Sequence, residues 1–158
     1  MESLPSTQDI VVRLALSLAA GGIIGLERQW QQKPAGLRTH MMVGLGAAAF
    51  TLIALELHAA IVEAGSDVSR VDPLRFLQGL VGGIGFLGAG TIIRDRDSVH
   101  GLTTAASIWV AGALGAACGG GHYVIAGVTA GLALLILLVL GAVEHRMDDT
   151  SSDPDQVP

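Results

Sequence analysis

Five long apolar runs, each close to the length that crosses a bilayer, constrain this 158-residue chain more than any other feature. A helix of about 20 apolar residues can span a membrane. None of the runs has a polar face over its whole length, as a surface helix of a soluble protein would. A chain of this size has too much surface for its volume to bury five such helices in a soluble bundle. We therefore predict an all-α polytopic membrane protein with transmembrane helices over residues 10–26, 37–57, 74–93, 102–118 and 122–143.

Composition supports this class and excludes others. Only 15% of the residues are charged and 51% are hydrophobic, whereas soluble domains are about 25% charged. The net charge of −5, without a basic stripe, excludes nucleic-acid binding, and one cysteine excludes a disulfide scaffold. We predict a short N-terminal segment over residues 1–9, a transmembrane domain over 10–146, and an acidic tail over 147–158 that is disordered because it cannot bury an apolar face.

The distribution of Lys and Arg predicts the orientation, because short loops rich in these residues stay on the cytoplasmic side. One end of the predicted spans has six of them: Arg28, Lys33, Arg38, Arg94, Arg96 and Arg146. The other end has Arg13, Arg70 and Arg75. The N-terminus is therefore expected outside and the C-terminus in the cytoplasm.

Glycine makes up 22 of the 158 residues, about twice its usual share. Membrane helices associate through close van der Waals contact, which small residues permit. We expect the third span to be central, and helix packing to use Gly21, Gly25, Gly79, Gly82, Gly83, Gly85, Gly88, Gly127 and Gly131. Residues 83–88 also match the dinucleotide-binding pattern, but they lie inside a span rather than after a strand. No cofactor is predicted.

Polar residues gather where the predicted spans meet the cytoplasmic interface. Glu27 is expected to pair with Arg38 or Arg94, and Asp95 with Arg28. Two interpretations stay open: these side chains anchor the helices at the interface, or they form a shared site for an ion, an anion or a partner helix, towards which two helix starts point. The cluster comprises Glu27, Arg28, Arg38, Thr39, His40, Arg94, Asp95, Thr103 and Thr104.

Catalytic and metal-binding patterns are weak in this sequence. Glu56 and His58 make a Glu-x-His pair, but two ligands do not form a cage for any ion. No nucleophile and base stand in a recognisable arrangement, and the H-E-x-x-H zinc spacing does not occur in the sequence. We expect neither an enzyme nor a metal protein.

Two motifs carry a resemblance to a known family. The first is GLERQW at 25–30 followed by AGLRTH at 35–40; the second is GGIGFLGAG at 82–90 followed by GLTTAA at 101–106 and Trp109. Both resemble the signatures of the MgtC/SapB family of bacterial inner-membrane proteins. The resemblance covers about residues 14–143 and is that of a short form without the soluble C-terminal domain that larger members carry. Larger members often have Asn where this chain has Thr103.

The resemblance implies a multi-pass inner-membrane protein connected with survival in low magnesium, acid stress and, in pathogens, growth inside macrophages. Relatives act by binding membrane proteins, including the F-type ATP synthase and a P-type magnesium transporter. We therefore expect a regulatory protein in the lipid bilayer that binds other membrane proteins or forms a homo-oligomer. The alternative is a transporter or channel for Mg²⁺ or protons, for which the third span offers glycines where a helix could break.

Overall fold

The computed structural model describes residues 5–65, 73–96 and 98–151. The predictions for residues 1–4, for Arg70 and for the tail beyond Ser151 lie outside the described residues. Five helices are present: α1 (Thr7–Trp30), α2 (Leu37–Glu63), α3 (Pro73–Ala89), α4 (Leu102–Gly119) and α5 (Tyr123–Ser151). Four of them, all except α3, are long and apolar enough to cross a membrane. The all-α class is confirmed.

Local sequence sets several helix boundaries. The Ser6 hydroxyl accepts from the Asp9 amide at 3.2 Å, and the Asp9 carboxylate accepts from the Ser6 amide at 3.0 Å, a capping box that fixes the start of α1. α3 begins at a proline, which is favoured in the first turn because its missing N–H has no partner there. α5 continues to Ser151, so residues 147–151 of the predicted tail are helical.

The connection between α3 and α4 contains a small hairpin that the sequence did not predict. Strand β1 (Ile93–Arg94) pairs antiparallel with β2 (Val99–His100). Gly101 then turns the chain into α4 with φ of 88°, a backbone conformation that glycine adopts without steric cost. We call the end of the bundle that holds this hairpin, the α1–α2 connection and the start of α4 the hairpin end.

The central helix of the bundle is α4, not the predicted third span. α4 packs against each of the other four helices, whereas α3 packs mainly against α2 and α4. One buried cluster joins Ile24 of α1 and Leu114 of α4 to α5, and a second joins Ile84 of α3 and Ile108 of α4 to α2. The glycines of α3 therefore do not hold the centre of the bundle together.

Close helix contact within the chain depends on a different set of glycines. Of the predicted packing glycines, Gly21 and Gly25 pack against the start of α2, and Gly88 packs against Ala105 of α4. The other six meet no atom within 4 Å at the position of a Cβ: Gly79, Gly82, Gly83, Gly85, Gly127 and Gly131. Four glycines outside the prediction do make close interhelical contacts: Gly44, Gly112, Gly115 and Gly119.

Candidate functional site

A buried ion pair lies near the end of α1. Glu27 and Arg28 are 3% and 4% exposed, and their side chains form a bidentate pair in which Arg28 Nη2 donates to Glu27 Oε1 at 2.8 Å and Nε donates to Oε2. A buried charge without a partner lowers the stability of the fold, because its lost hydration is not replaced. The two side chains compensate for this loss by pairing with each other. The pairings expected for Glu27 with Arg38 or Arg94, and for Arg28 with Asp95, are not formed.

A buried histidine connects three helices at the same end. His40 is 0% exposed, and its Nδ1 lies 2.9 Å from the Gly36 carbonyl oxygen, which can only accept, so Nδ1–H donates. Its Nε2 lies 3.0 Å from the Ser107 hydroxyl of α4, which is also 2.8 Å from the Thr104 carbonyl oxygen. α1 contacts the backbone of the same histidine at Gly21. Ser107, which the sequence prediction leaves out of the cluster, is thus the link between α2 and α4.

The remaining predicted residues divide between the surface and the interior. Thr104 is buried at 3% exposure. Asp95 accepts from the Arg96 amide at 2.7 Å and stabilises the hairpin turn. The structure therefore gathers four members of the predicted cluster in the interior, namely Glu27, Arg28, His40 and Thr104, and leaves five exposed: Arg38, Thr39, Arg94, Asp95 and Thr103.

A cavity of about 700 Å³ opens at the hairpin end. Its walls come from the end of α1 with the connection that follows it, from β2 with the start of α4, and from the last turns of the apolar part of α5. The polar residues that line it include Arg28, Lys33, Thr103 and Thr104. A second cavity, of about 500 Å³, lies among α2, α3 and α4 and is lined almost entirely by apolar side chains.

The outer face of α3 is open. At 3.6 residues per turn, Gly79, Gly82, Gly83 and Phe86 share one side of this helix, and Ile84 and Gly88 point the other way, into the bundle. Phe86 is 80% exposed. We call Gly79, Gly82, Gly83 and Phe86 the outer face of α3.

Metal ligation finds little support in the part of the chain that the structure describes. Within residues 5–65, 73–96 and 98–151, no three His, Cys, Asp or Glu side chains lie together in a group that could hold an ion. Cys118, in the described part of α4, is a buried free thiol packed in the core. The arrangement is that of polar groups that fix helix ends, next to one polar cavity and one open helix face.

Comparison with known proteins gives consistent matches. A family model described as the MgtC family matches residues 14–146. The chain is 38% identical over 141 residues to "Putative magnesium transporter YhiD" of Escherichia coli K12, covering 89% of this chain and 65% of that protein. It is 40% identical over 113 residues to "Protein MgtC" of Salmonella typhimurium LT2, covering 72% of this chain and 44% of that protein.

A Haemophilus influenzae protein, described only as uncharacterized, is 33% identical over 138 residues, which cover 87% of this chain and 57% of that protein. The chain thus spans less than two thirds of the length of these relatives. No solved structure gives a significant match.

Proposed function

The chain belongs to the MgtC family, and on that premise we propose that it is a small, non-enzymatic regulatory protein that binds other membrane proteins through the outer face of α3. The observation that carries the proposal is the open glycine surface on this helix. The three glycines of this face, Gly79, Gly82 and Gly83, have no atom within 4 Å of a Cβ position. Membrane helices use such small residues for close approach to another helix, and among the described residues no other helix packs against these glycines.

Two buried polar groups at the hairpin end have partners within the chain, and these contacts support the proposed role. Glu27 and Arg28 neutralise each other, and the two ring nitrogens of His40 have partners at 2.9 and 3.0 Å. The His40–Ser107 contact joins α2 to α4, whereas the Glu27–Arg28 pair lies within α1. α3 itself packs against α4 and α2, and a helix that its neighbours already hold in place loses less conformational freedom when it binds a partner.

The partners we propose follow from the family. They are an ATP synthase, a P-type ATPase or a second copy of this chain, in the inner membrane of a bacterium under magnesium limitation or acid stress. The basic residues at the hairpin end support an orientation with that end in the cytoplasm and the N-terminus outside.

Retention of partners in mild detergent tests the proposal. Affinity-tagged protein extracted from its native membrane is expected to retain a membrane protein or an untagged copy of itself. Gly83→Leu should abolish this retention, because the larger side chain fills the outer face of α3. Gly46→Leu is the matched control, since its Cβ position on α2 also meets nothing within 4 Å. Equal retention by the two variants, or no partner for the wild type, would overturn the proposal.

Transport is a second candidate, favoured by the name of the relative that is described as a magnesium transporter. Of the described residues, the buried charged side chains are Glu27 and Arg28, and both lie near one end of α1 rather than at mid-membrane. Mg²⁺ flux into proteoliposomes distinguishes the two candidates. The regulatory proposal predicts the same flux with and without the protein, and a clear excess with the protein would favour transport.

A further inference from the structure

The polar cavity at the hairpin end contains hydrogen-bond donors without acceptors. Thr104 lines it and is 3% exposed, and in the described part of the chain its hydroxyl has no hydrogen-bond partner. Arg28 also lines the cavity. It uses Nε and Nη2 for Glu27, so its Nη1 group is left for a ligand. Among the described residues, the one side-chain atom that is fully buried without a partner is Arg13 Nε. The Thr104 hydroxyl and Arg28 Nη1 therefore stay accessible, and in the cavity that both residues line they can donate to water or a ligand.

The start of α4 adds more donors to the same wall. Gly101 is the N-cap of α4, and no side chain caps the amides that follow it. The first N–H groups of a helix are unpaired unless a side chain, water or ligand accepts from them, and the helix dipole favours an anion there. Lys33, on the connection after α1, brings an uncommitted positive charge to the cavity.

These donors select the chemistry of the ligand. An arginine N–H pair, a threonine hydroxyl, backbone amides and a lysine offer hydrogens to an acceptor with several oxygens, and repel a metal cation. The nearby carboxylate of Glu27 is neutralised by its bidentate bonds to Arg28. A phosphate group, with negative charge and several acceptor oxygens, fits this set of donors.

The apolar part of the lining indicates the source of the phosphate. It consists of Ile136, Leu137 and Leu140 of α5, close to the end of an apolar run that stops at Val143, before Glu144 and Arg146. This level of a spanning helix is where lipid headgroups meet acyl chains. We propose that the cavity binds an anionic phospholipid, with its phosphate on Arg28, Thr104 and the start of α4 and its first acyl carbons along α5. The proposal goes beyond the regulatory function and does not depend on it.

Lipid binding to the purified protein in non-ionic detergent tests this assignment. Native mass spectrometry gives apparent dissociation constants for dioleoylphosphatidylglycerol, for dioleoylglycerol, which has the same chains without phosphate, and for inorganic phosphate. We expect the phospholipid to bind at least about tenfold more tightly than either control, the order that charge-assisted hydrogen bonds provide. Thr104→Val, which keeps the side-chain shape, should weaken phospholipid binding about tenfold.

Lys33→Gln provides an exposed variant that leaves the buried core intact, and it should weaken phospholipid binding about threefold. Arg38→Gln is its matched control, because it removes one exposed charge at the same end without touching the cavity. Equal binding of dioleoylglycerol would refute recognition of the phosphate. If inorganic phosphate binds as tightly as the phospholipid, the site binds free phosphate and the proposal of a lipid ligand is wrong. If Lys33→Gln and Arg38→Gln weaken phospholipid binding equally, the lipid does not bind in this cavity.

Discussion

Replacing a single glycine by alanine in α1 and in α3 should change stability in opposite directions. At Gly25 an added Cβ would lie 2.8 Å from the Leu37 Cα and 2.9 Å from both the Gly36 carbonyl oxygen and the His40 Cβ. Carbon atoms in contact normally lie about 3.5–4.0 Å apart. Two of these three neighbours are backbone atoms, which cannot rotate away. α1 must therefore move from the start of α2, where His40 makes its hydrogen bonds.

The magnitude follows from two opposing effects. Overpacking of this kind costs about 1–3 kcal/mol, whereas glycine to alanine in a helix contributes up to about 1 kcal/mol of stability. Gly25→Ala should therefore lower the free energy of unfolding by about 0–2 kcal/mol. Gly83→Ala should raise it by up to about 1 kcal/mol, because its Cβ meets nothing within 4 Å. The helix-propensity gain is common to both variants, so their difference isolates the overpacking cost of about 1–3 kcal/mol.

Reversible unfolding in mixed detergent and SDS micelles, followed by circular dichroism, measures both variants on the same scale. The monomeric protein must be used, so that loss of a partner on α3 does not enter the comparison. An equal gain in stability for both substitutions would refute the assignment of Gly25 to an internal contact and of Gly83 to an open face.

Three further predictions concern the hairpin end. Glu27→Ala leaves a buried guanidinium unpaired and should cost about 3–5 kcal/mol in the same unfolding assay, whereas Arg38→Ala, at an exposed position, should stay within about 0.5 kcal/mol of wild type; similar losses would contradict the buried pairing. Ser107→Ala removes the partner of His40 Nε2 and should cost about 1–3 kcal/mol, and unchanged stability would show that this hydrogen bond contributes nothing. Lys33→Cys in intact cells should react with an impermeant maleimide only after permeabilisation, and labelling from outside would reverse the orientation.

The fold could be predicted because the apolar runs fix both the number and the approximate starts of the helices. A polar interruption between two apolar runs, such as residues 31–36 with Lys33, marks the connection between two helices. The ends of the helices were harder to predict than their starts. α2 continues to Glu63 and α5 to Ser151, because a helix can extend beyond the apolar stretch into the polar interface.

The packing surfaces were harder to predict, because the presence of a small residue does not indicate which helix it packs against. Gly115 and Gly119 stand four apart on α4, and Gly44 and Ala48 stand four apart on α2. These matching pairs form the close α2–α4 contact, and their spacing was the signal that could have found it. The glycines of α3 are denser, but Gly79, Gly82, Gly83 and Gly85 meet no neighbour in the described part of the chain, and only Gly88 packs against α4.

The predicted polar cluster failed in its pairings for a similar reason. The positions of charged residues in the sequence do not identify which arginine pairs with Glu27. In the structure its partner is Arg28, the next residue. Burial of this pair depends on helices that converge at the hairpin end, which is a property of the three-dimensional packing. The link between His40 and Ser107 joins residues 67 positions apart and likewise arises only from the arrangement of α2 and α4.

Site-specific photo-crosslinking in the native membrane tests the central claim, that the outer face of α3 binds another protein, most directly. A photoreactive amino acid in place of Phe86, which is 80% exposed on that face, should give an adduct with a membrane protein or a second copy of the chain. The same probe in place of Val124, equally exposed on α5, should give mainly lipid adducts, and Gly83→Leu should remove the protein adduct at position 86. Lipid adducts alone at both positions would contradict the account.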